Sequence, residues 1–442
     1  MTVVTQAYRF ALDPTPAQRR GLASHCGAAR FAYNWGLTLV KARLDDRAEA
    51  ADTKVPWTLP ALRKEWNQVK RDVAPWWAEN SKEAYSSGLD ALAGALANFS
   101  DSKQGRRQGG RVGFPRFKRK GRARDACRFT TGTIRVEPDR HHVTLPRLGR
   151  LKTHESTRKL ARRLEHGTAR VLAATVSRQA DRWFVSFTCQ VQRAERRHRR
   201  PAATVGVDVG VTQLAVLSSG EQVANPRPLA AALHKLRRLS RQLARQQGPH
   251  APDGTLRAPS AGWRQTRGEL SRLHARVANL RGEALHQLTS RLAGEYGTVV
   301  VERLNVAGMV RHRRLARAIA DSGMGGVRRL LAYKCAWAGG RLVEAPPFFA
   351  SSKTCSRCGM VKAKLSLSER VYRCQACGLE LDRDQNAARN LAALVEMVVA
   401  GSGSETLQNA CVRDCQPAGD GGRSGNPDPP REAAGSQQPT RA

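Results

Sequence analysis

The most specific chemistry in this sequence lies in four cysteines. Cys355 and Cys358 form one Cys-x-x-Cys pair and Cys374 and Cys377 a second, fifteen residues apart, with a glycine after each pair (Gly359, Gly378). Two such pairs supply four thiolates to one tetrahedral Zn2+ and leave no position for a substrate, so the predicted role is structural. A redox dithiol would need only one of the pairs. Three acids stand out because each sits where a carboxylate is costly. Asp208 interrupts the apolar run TVGVDVGV, Glu302 ends TVVVE, and Asp384 opens the predicted helix DQNAARNLAALV. A carboxylate on a buried strand needs a cation or a donor beside it. Hard oxygen ligands suit Mg2+, and two such ions about 3.5 to 4 Å apart activate a water and stabilise a leaving oxygen in phosphodiester hydrolysis. Each acid also has a plainer reading: Asp208 as a turn former before Gly210, Glu302 as a partner for an arginine, Asp384 as a helix N-cap. Their order, two strand acids and then a helix-start acid, favours a shared magnesium site. Asp382 competes with Asp384 for the third place, and residue type does not separate them.

The elements that must position these groups are legible in outline. TVGVDVGVTQLAVLSSGEQVA parses as three consecutive antiparallel strands, and TVVVERL as a fourth. Between them lie two predicted long helices, one with Leu233, Leu236 and Leu243, the other with Leu270, Leu273, Val277, Leu280, Ala284 and Leu288 in an approximate heptad seam. The polar, proline- and glycine-rich turn between the helices folds them back as a hairpin over 228–293. A further helix and strand precede a zinc ribbon at 350–380. Upstream, residues 126–200 alternate apolar and polar positions, as in RWFVSFTCQVQ, which predicts a small antiparallel β-barrel of the oligonucleotide-binding kind. Residues 1–125 read as a short strand, a helical region and a basic loop. Thr15 before Pro16 is an N-cap, with Leu22, Cys26, Ala29 and Tyr33 along one helix face. Trp57, Trp66, Trp76 and Trp77 are expected in that region's core, and Cys26, Cys127, Cys189 and Cys335 as small buried residues. The fold class is therefore α+β and multidomain, with the nuclease-like unit at 201–398. Residues 399–442, rich in Gly, Ser and Pro, are expected to be a disordered tail in which Cys411 and Cys415 have no assigned role.

Charge names the partner class. The chain has 75 Lys and Arg against 37 Asp and Glu, a formal net charge of +38. Such an excess suits a polyanion, and nucleic acid above all, because neutralised phosphates release counterions. Residues 103–124 hold ten basic residues, no acid, five glycines, Phe114 and Phe117, a composition fit for phosphate contact and base stacking. The opening MTVVTQAYRF lacks a basic leader and apolar run, and no stretch approaches about 18 consecutive apolar residues. The expectation is a cytoplasmic protein with no membrane partner.

GVDVGVTQLAVLSSG, VVVERLNVAGM, SSKTCSRCG and YRCQACGLELDRDQNAARNL resemble the TnpB or OrfB proteins of bacterial insertion sequences, long labelled transposases and similar to the compact type V CRISPR effectors. The resemblance runs from AYRFALDPTPAQRRGL to about residue 396. It implies a RuvC/RNase H-like α/β domain with an inserted four-cysteine zinc ribbon, and a catalytic, magnesium-binding triad of Asp208, Glu302 and Asp384, preferring Asp384 over Asp382 by resemblance only. It also implies a guide RNA from the element's end and cleavage of double-stranded DNA beside a short flanking motif, with base pairing supplying specificity. The assembly would be a monomer or homodimer. Departures are Pro346 and Pro347 before the zinc site and the RGEALHQL stretch; neither touches the triad. Two other readings compete. A transposase joining DNA ends without RNA would be expected to carry a His-x-His pair, yet none of the eleven histidines lies two from another. A zinc-ribbon regulator leaves Asp208 and Glu302 unexplained.

Overall fold

The computed structural model describes residues 2–50, 52–107, 109–194, 198–251, 254–366, 368–399 and 411–413. The chain opens with β1 (Thr2–Asp13) and then α1 (Pro16–Glu49), and the Thr15 side chain accepts from the Gln18 N–H while Gln18 returns a bond to the Thr15 backbone. α2 (Leu59–Val73) and α3 (Lys82–Lys103) follow, then β2 (Ala126–Phe129), β3 (Arg135–Val136), β4 (His142–Leu145), β5 (Gly149–Thr153), α4 (Arg158–Glu165), β6 (Ala169–Gln179) and β7 (Arg182–Arg193). On β7 every second residue from Trp183 to Val191 is buried, as the alternation of sequence requires.

The predicted barrel over 126–200 does not close. These strands form an open seven-stranded sheet in the order β2-β6-β7-β1-β5-β4-β3, with β2 and β3 at opposite edges. Two causes are visible. β1 enters from outside the segment and lies between β7 and β5. The apolar face that a barrel would turn inward is covered by helices, so Leu22, Leu37, Leu89 and Leu96 share one core with Phe129 and Phe187. Trp66 lies in that core and Trp57 and Trp77 pack on it, whereas Trp76 is exposed. Cys26, Cys127, Cys189 and Cys335 are all buried.

The second half builds a three-layer unit. β8 (Arg200–Asp208), β9 (Gln213–Leu217) and β10 (Gln222–Ala224) run antiparallel in succession, then α5 (Pro228–Arg245) and α6 (Ala261–Glu295) pack together, and β11 (Tyr296–Val301) lies parallel to β8. α7 (Val306–Met309), α8 (Ala316–Ser322) and α9 (Met324–Ala338) lead to β12 (Arg341–Glu344), parallel to β11. The hairpin β13 (Val371–Arg373) and β14 (Glu380–Asp382) precedes α10 (Arg383–Val399), and β15 (Cys411–Arg413) pairs with β12. The rest of the expected tail lies outside the described residues. On β11, Val299 and Val301 face α6 and α9 while Val300 faces α10, so both faces of this strand are buried. On α6, Val277 and Leu288 are buried but Leu280 faces solvent, off the expected seam. Among the described residues no helix is long and apolar enough to cross a membrane.

Candidate active site and metal centre

Asp208 is the last residue of β8 and Glu302 the first beyond β11. The parallel register pairs Val207 with Val301, so the two acids emerge side by side at the carboxyl ends of neighbouring strands, the end at which open α/β sheets bind ligands. α10 crosses β8 and brings its first turn, with Asp384, to the same end. Asp382 is otherwise engaged: its Oδ1 accepts from the backbone N–H groups of Asp384 and Gln385, both at 3.0 Å, and so caps α10.

The electrostatics bear on what this cluster can hold. Burial pushes the Asp208 carboxyl up to about 8, with the carboxylates of Glu302 and Asp384 adding to the rise and Arg383 opposing it. Burial also raises Glu302, against the Ser351 hydroxyl that donates to its Oε1 and against Arg383. Asp384 is raised by burial and then by Asp382, with Arg370 and Arg383 pulling the other way. Three acids, each raised from its ordinary value, form a site that a divalent cation would relieve. The carboxylates are spread more widely than the cysteine cluster, since among the described residues only the cysteines form a set of three or more candidate ligands within 4.8 Å of one another. A cavity of about 270 Å³ opens beside Glu302, lined by Val209, Leu304, Val306, Met324 and Arg328. Arg328 is held there by buried Glu344 at 3.2 Å.

The four cysteines converge as their spacing requires. Sγ of Cys355 lies 3.6 Å from Cys377 and Sγ of Cys358 lies 3.6 Å from Cys374, close to the ~3.8 Å edge of a tetrahedron with Zn–S arms of about 2.3 Å. Both turns repeat one geometry. Gly359 and Gly378 have φ of +77° and +69°, and their N–H groups donate to the carbonyls of Cys355 and Cys374. Backbone N–H groups of Cys377 and Ala376 hold the Cys374 thiol down to about 6, which favours a thiolate ligand. The donor set fits zinc.

Several residues that serve the site were not singled out in the sequence. Asn386 and Asn390 are buried on α10, and both donate to the Thr354 carbonyl at 2.7 Å, while Asn386 Oδ1 accepts from the Ser356 N–H. They fasten the first cysteine turn to the helix that bears Asp384. Two asparagines at i and i+4 among apolar residues were the available signal. Ser351 and Arg383 gave none. The basic loop 103–124 lies along the helices: Asn34 exchanges hydrogen bonds with the Lys118 backbone, Phe114 meets Phe99 edge-on at 5.2 Å, and Phe117 stays exposed beneath Lys41.

Residues 186–313 match the OrfB family of IS605, described as "Probable transposase", and residues 325–391 match the "Cas12f1-like, TNB domain". Residues 1–47 match a "Helix-turn-helix domain", although here they fold as one strand and one long helix. A Mycobacterium tuberculosis protein named "Putative RNA-guided DNA endonuclease" is 43% identical over 95% of this chain and 93% of its own length. A Streptomyces pristinaespiralis protein of the same name is 32% identical over 89% and 90%. The solved complex of Cas12f1 with sgRNA and target DNA aligns over 88% of this chain and 99% of its own, at 14% identity and a TM-score of 0.46. With identity of this extent along nearly its whole length, the chain belongs to the OrfB/TnpB family of insertion-sequence proteins.

Proposed function

We propose that this chain is an RNA-guided DNA endonuclease of a transposable element, and that it cuts DNA at a RuvC-like site where Asp208, Glu302 and Asp384 hold two Mg2+. The observation that carries the metal site is the convergence of three acids at the carboxyl ends of β8 and β11, each raised first by burial. Magnesium, when bound, supplies the Lewis acid that activates water and stabilises the leaving oxygen. The chain's own residues set the geometry: Ser351 fixes the rotamer of Glu302, Asp382 caps α10 so that Asp384 is left to the site, and Arg383 offsets the negative charge. Zinc in the cysteine cluster is structural and anchors α10 through Asn386 and Asn390. The excess of positive charge, with residues 103–124 prominent in it, meets the backbones of guide and target, and base pairing reads the sequence. We assign residues 1–125 and 126–200 to nucleic-acid binding and 201–398 to cleavage.

The test is to express the chain with its native flanking DNA, sequence the RNA that copurifies, and offer the complex a matching duplex. A discrete RNA from the element's end and magnesium-dependent cutting that disappears in Asp208→Ala are expected. RNA-free protein that joins transposon ends would overturn the reading.

A further inference from the structure

Phe348 has a relative exposure of 103% and a φ of +63°. The Phe349 N–H donates to the Pro346 carbonyl at 3.2 Å and closes a turn with Pro347 and Phe348 at its centre. A positive φ at the third position of such a turn suits glycine or asparagine; a bulky side chain there is strained. Water would favour a polar residue and the backbone a glycine, so neither solvation nor local geometry accounts for phenylalanine. Strain of this kind persists where its surroundings enforce it, and it gathers at functional sites.

The surroundings are firm. Pro346 is buried, and Phe349 packs against the cluster of Val300, Val343, Leu391 and Leu394. Ser351 donates its N–H to the Phe349 carbonyl at 2.8 Å and its hydroxyl to Glu302, and accepts from Asn390 at its own carbonyl. Since β8, β11 and β12 are parallel, the segment after β12 leaves the sheet at the end that bears Asp208 and Glu302. Ser351 lies three positions beyond Phe348, a reach of at most about 11 Å. An aromatic ring is thus held in solvent on a braced turn at the end of the sheet that bears the acids.

We propose that Phe348 is a stacking platform for one base of the DNA strand entering the site, and that it positions the scissile phosphate over Asp208 and Glu302. Every base offers a π-face, so stacking grips a strand without reading it. That tolerance is what an enzyme with RNA-delegated specificity needs. Phe348 is a positioning residue, and its role rests on the nuclease reading above.

The test uses the full chain with its guide. In the Asp208→Ala complex, which holds DNA uncut, 2-aminopurine is placed in turn at each position flanking the cut. One position is expected to be quenched, and Phe348→Gly to relieve that quenching. With Asp208 intact, Phe348→Gly is expected to slow single-turnover cleavage about tenfold or more, and Phe348→Trp to keep it near wild type. Because glycine accepts the positive φ, Phe348→Gly should melt no lower than wild type. Cleavage by Phe348→Gly at the wild-type rate, or quenching that Phe348→Gly leaves unchanged, would overturn the inference alone. Loss of both melting temperature and cleavage would make Phe348 a folding residue and overturn it too. A wild-type complex that does not cut would overturn the nuclease reading and this inference with it.

Discussion

A Cβ placed on Gly206 would stand 1.9 Å from the carbonyl oxygen of Ala388 and 2.6 Å from the Ala392 nitrogen. Backbone therefore meets backbone where α10 crosses β8. Gly206 lies two residues before Asp208, and Ala388 one helical turn beyond Asp384, so this contact sets the spacing of the two acids. Gly206→Ala must drive the helix away from the strand. Overpacking of this kind costs about 1 to 3 kcal/mol or more, and a shift near 1 Å at the acids can cost about 100-fold in rate. Thermal melts and single-turnover cleavage check both; an alanine variant with wild-type behaviour would show that the close approach does not position the site.

The Asp208 carboxyl stands at about 8, against the 3.8 of an ordinary aspartate. Between those values the unfolded chain is ionised there and the folded chain holds the proton, so this group lowers stability as pH rises from about 4 to about 8, with no further change above. Metal-free protein is expected to show that slope, and Asp208→Asn to remove this contribution. Magnesium at pH 8 should raise the melting temperature of wild type and do much less for Asp208→Asn. Identical pH profiles for the two metal-free proteins would contradict the assignment.

His25 gives an opposite dependence in the first half of the chain. Its Nδ1 faces the Gly21 carbonyl at 2.8 Å and its Nε2 accepts from the Ser81 N–H at 3.1 Å, at the start of α3. Burial lowers its pKa by desolvating the charged ring, the Gly21 carbonyl opposing and Arg147 adding to the fall. The stability it lends is complete above the ordinary histidine value and fades as pH falls through the lower folded one. His25→Ala should cost about 2 kcal/mol near pH 7.5 and less at pH 5, as denaturant titrations at the two values would reveal.

Removal of zinc should reach the acids. The first cysteine turn is tied to α10 by Asn386 and Asn390, and a structural zinc supplies folding energy to its ribbon. One zinc per chain by elemental analysis is expected, with cleavage lost in Cys374→Ser and on zinc removal followed by assay in excess magnesium. A zinc-free chain that cuts normally would refute the coupling.

What the sequence made legible was what is local. The Thr15 cap, the alternation on β7 and the spacing of the cysteines are each encoded within a short window, and each stands in the structure. The open sheet was illegible because β1 pairs with strands far along the chain, and no window of alternating residues reveals an outside strand. Asp208 and Glu302 were conspicuous as charges in apolar runs. Ser351 was not, since a serine before a cysteine pair has many uses, and only the fold brings it to Glu302. Leu280 shows the converse: a regular seam extended past the surface that α6 buries.

The central place of β1 has a consequence for synthesis. Thr2 pairs with Arg193 and Leu12 with Trp183, so this strand leaves the ribosome long before its longest partner exists. At about 5 to 20 residues per second the wait is roughly 10 to 40 s. For that interval the nascent chain carries an unpaired strand edge, open to chaperones and to mispairing with a neighbouring nascent chain on the same messenger.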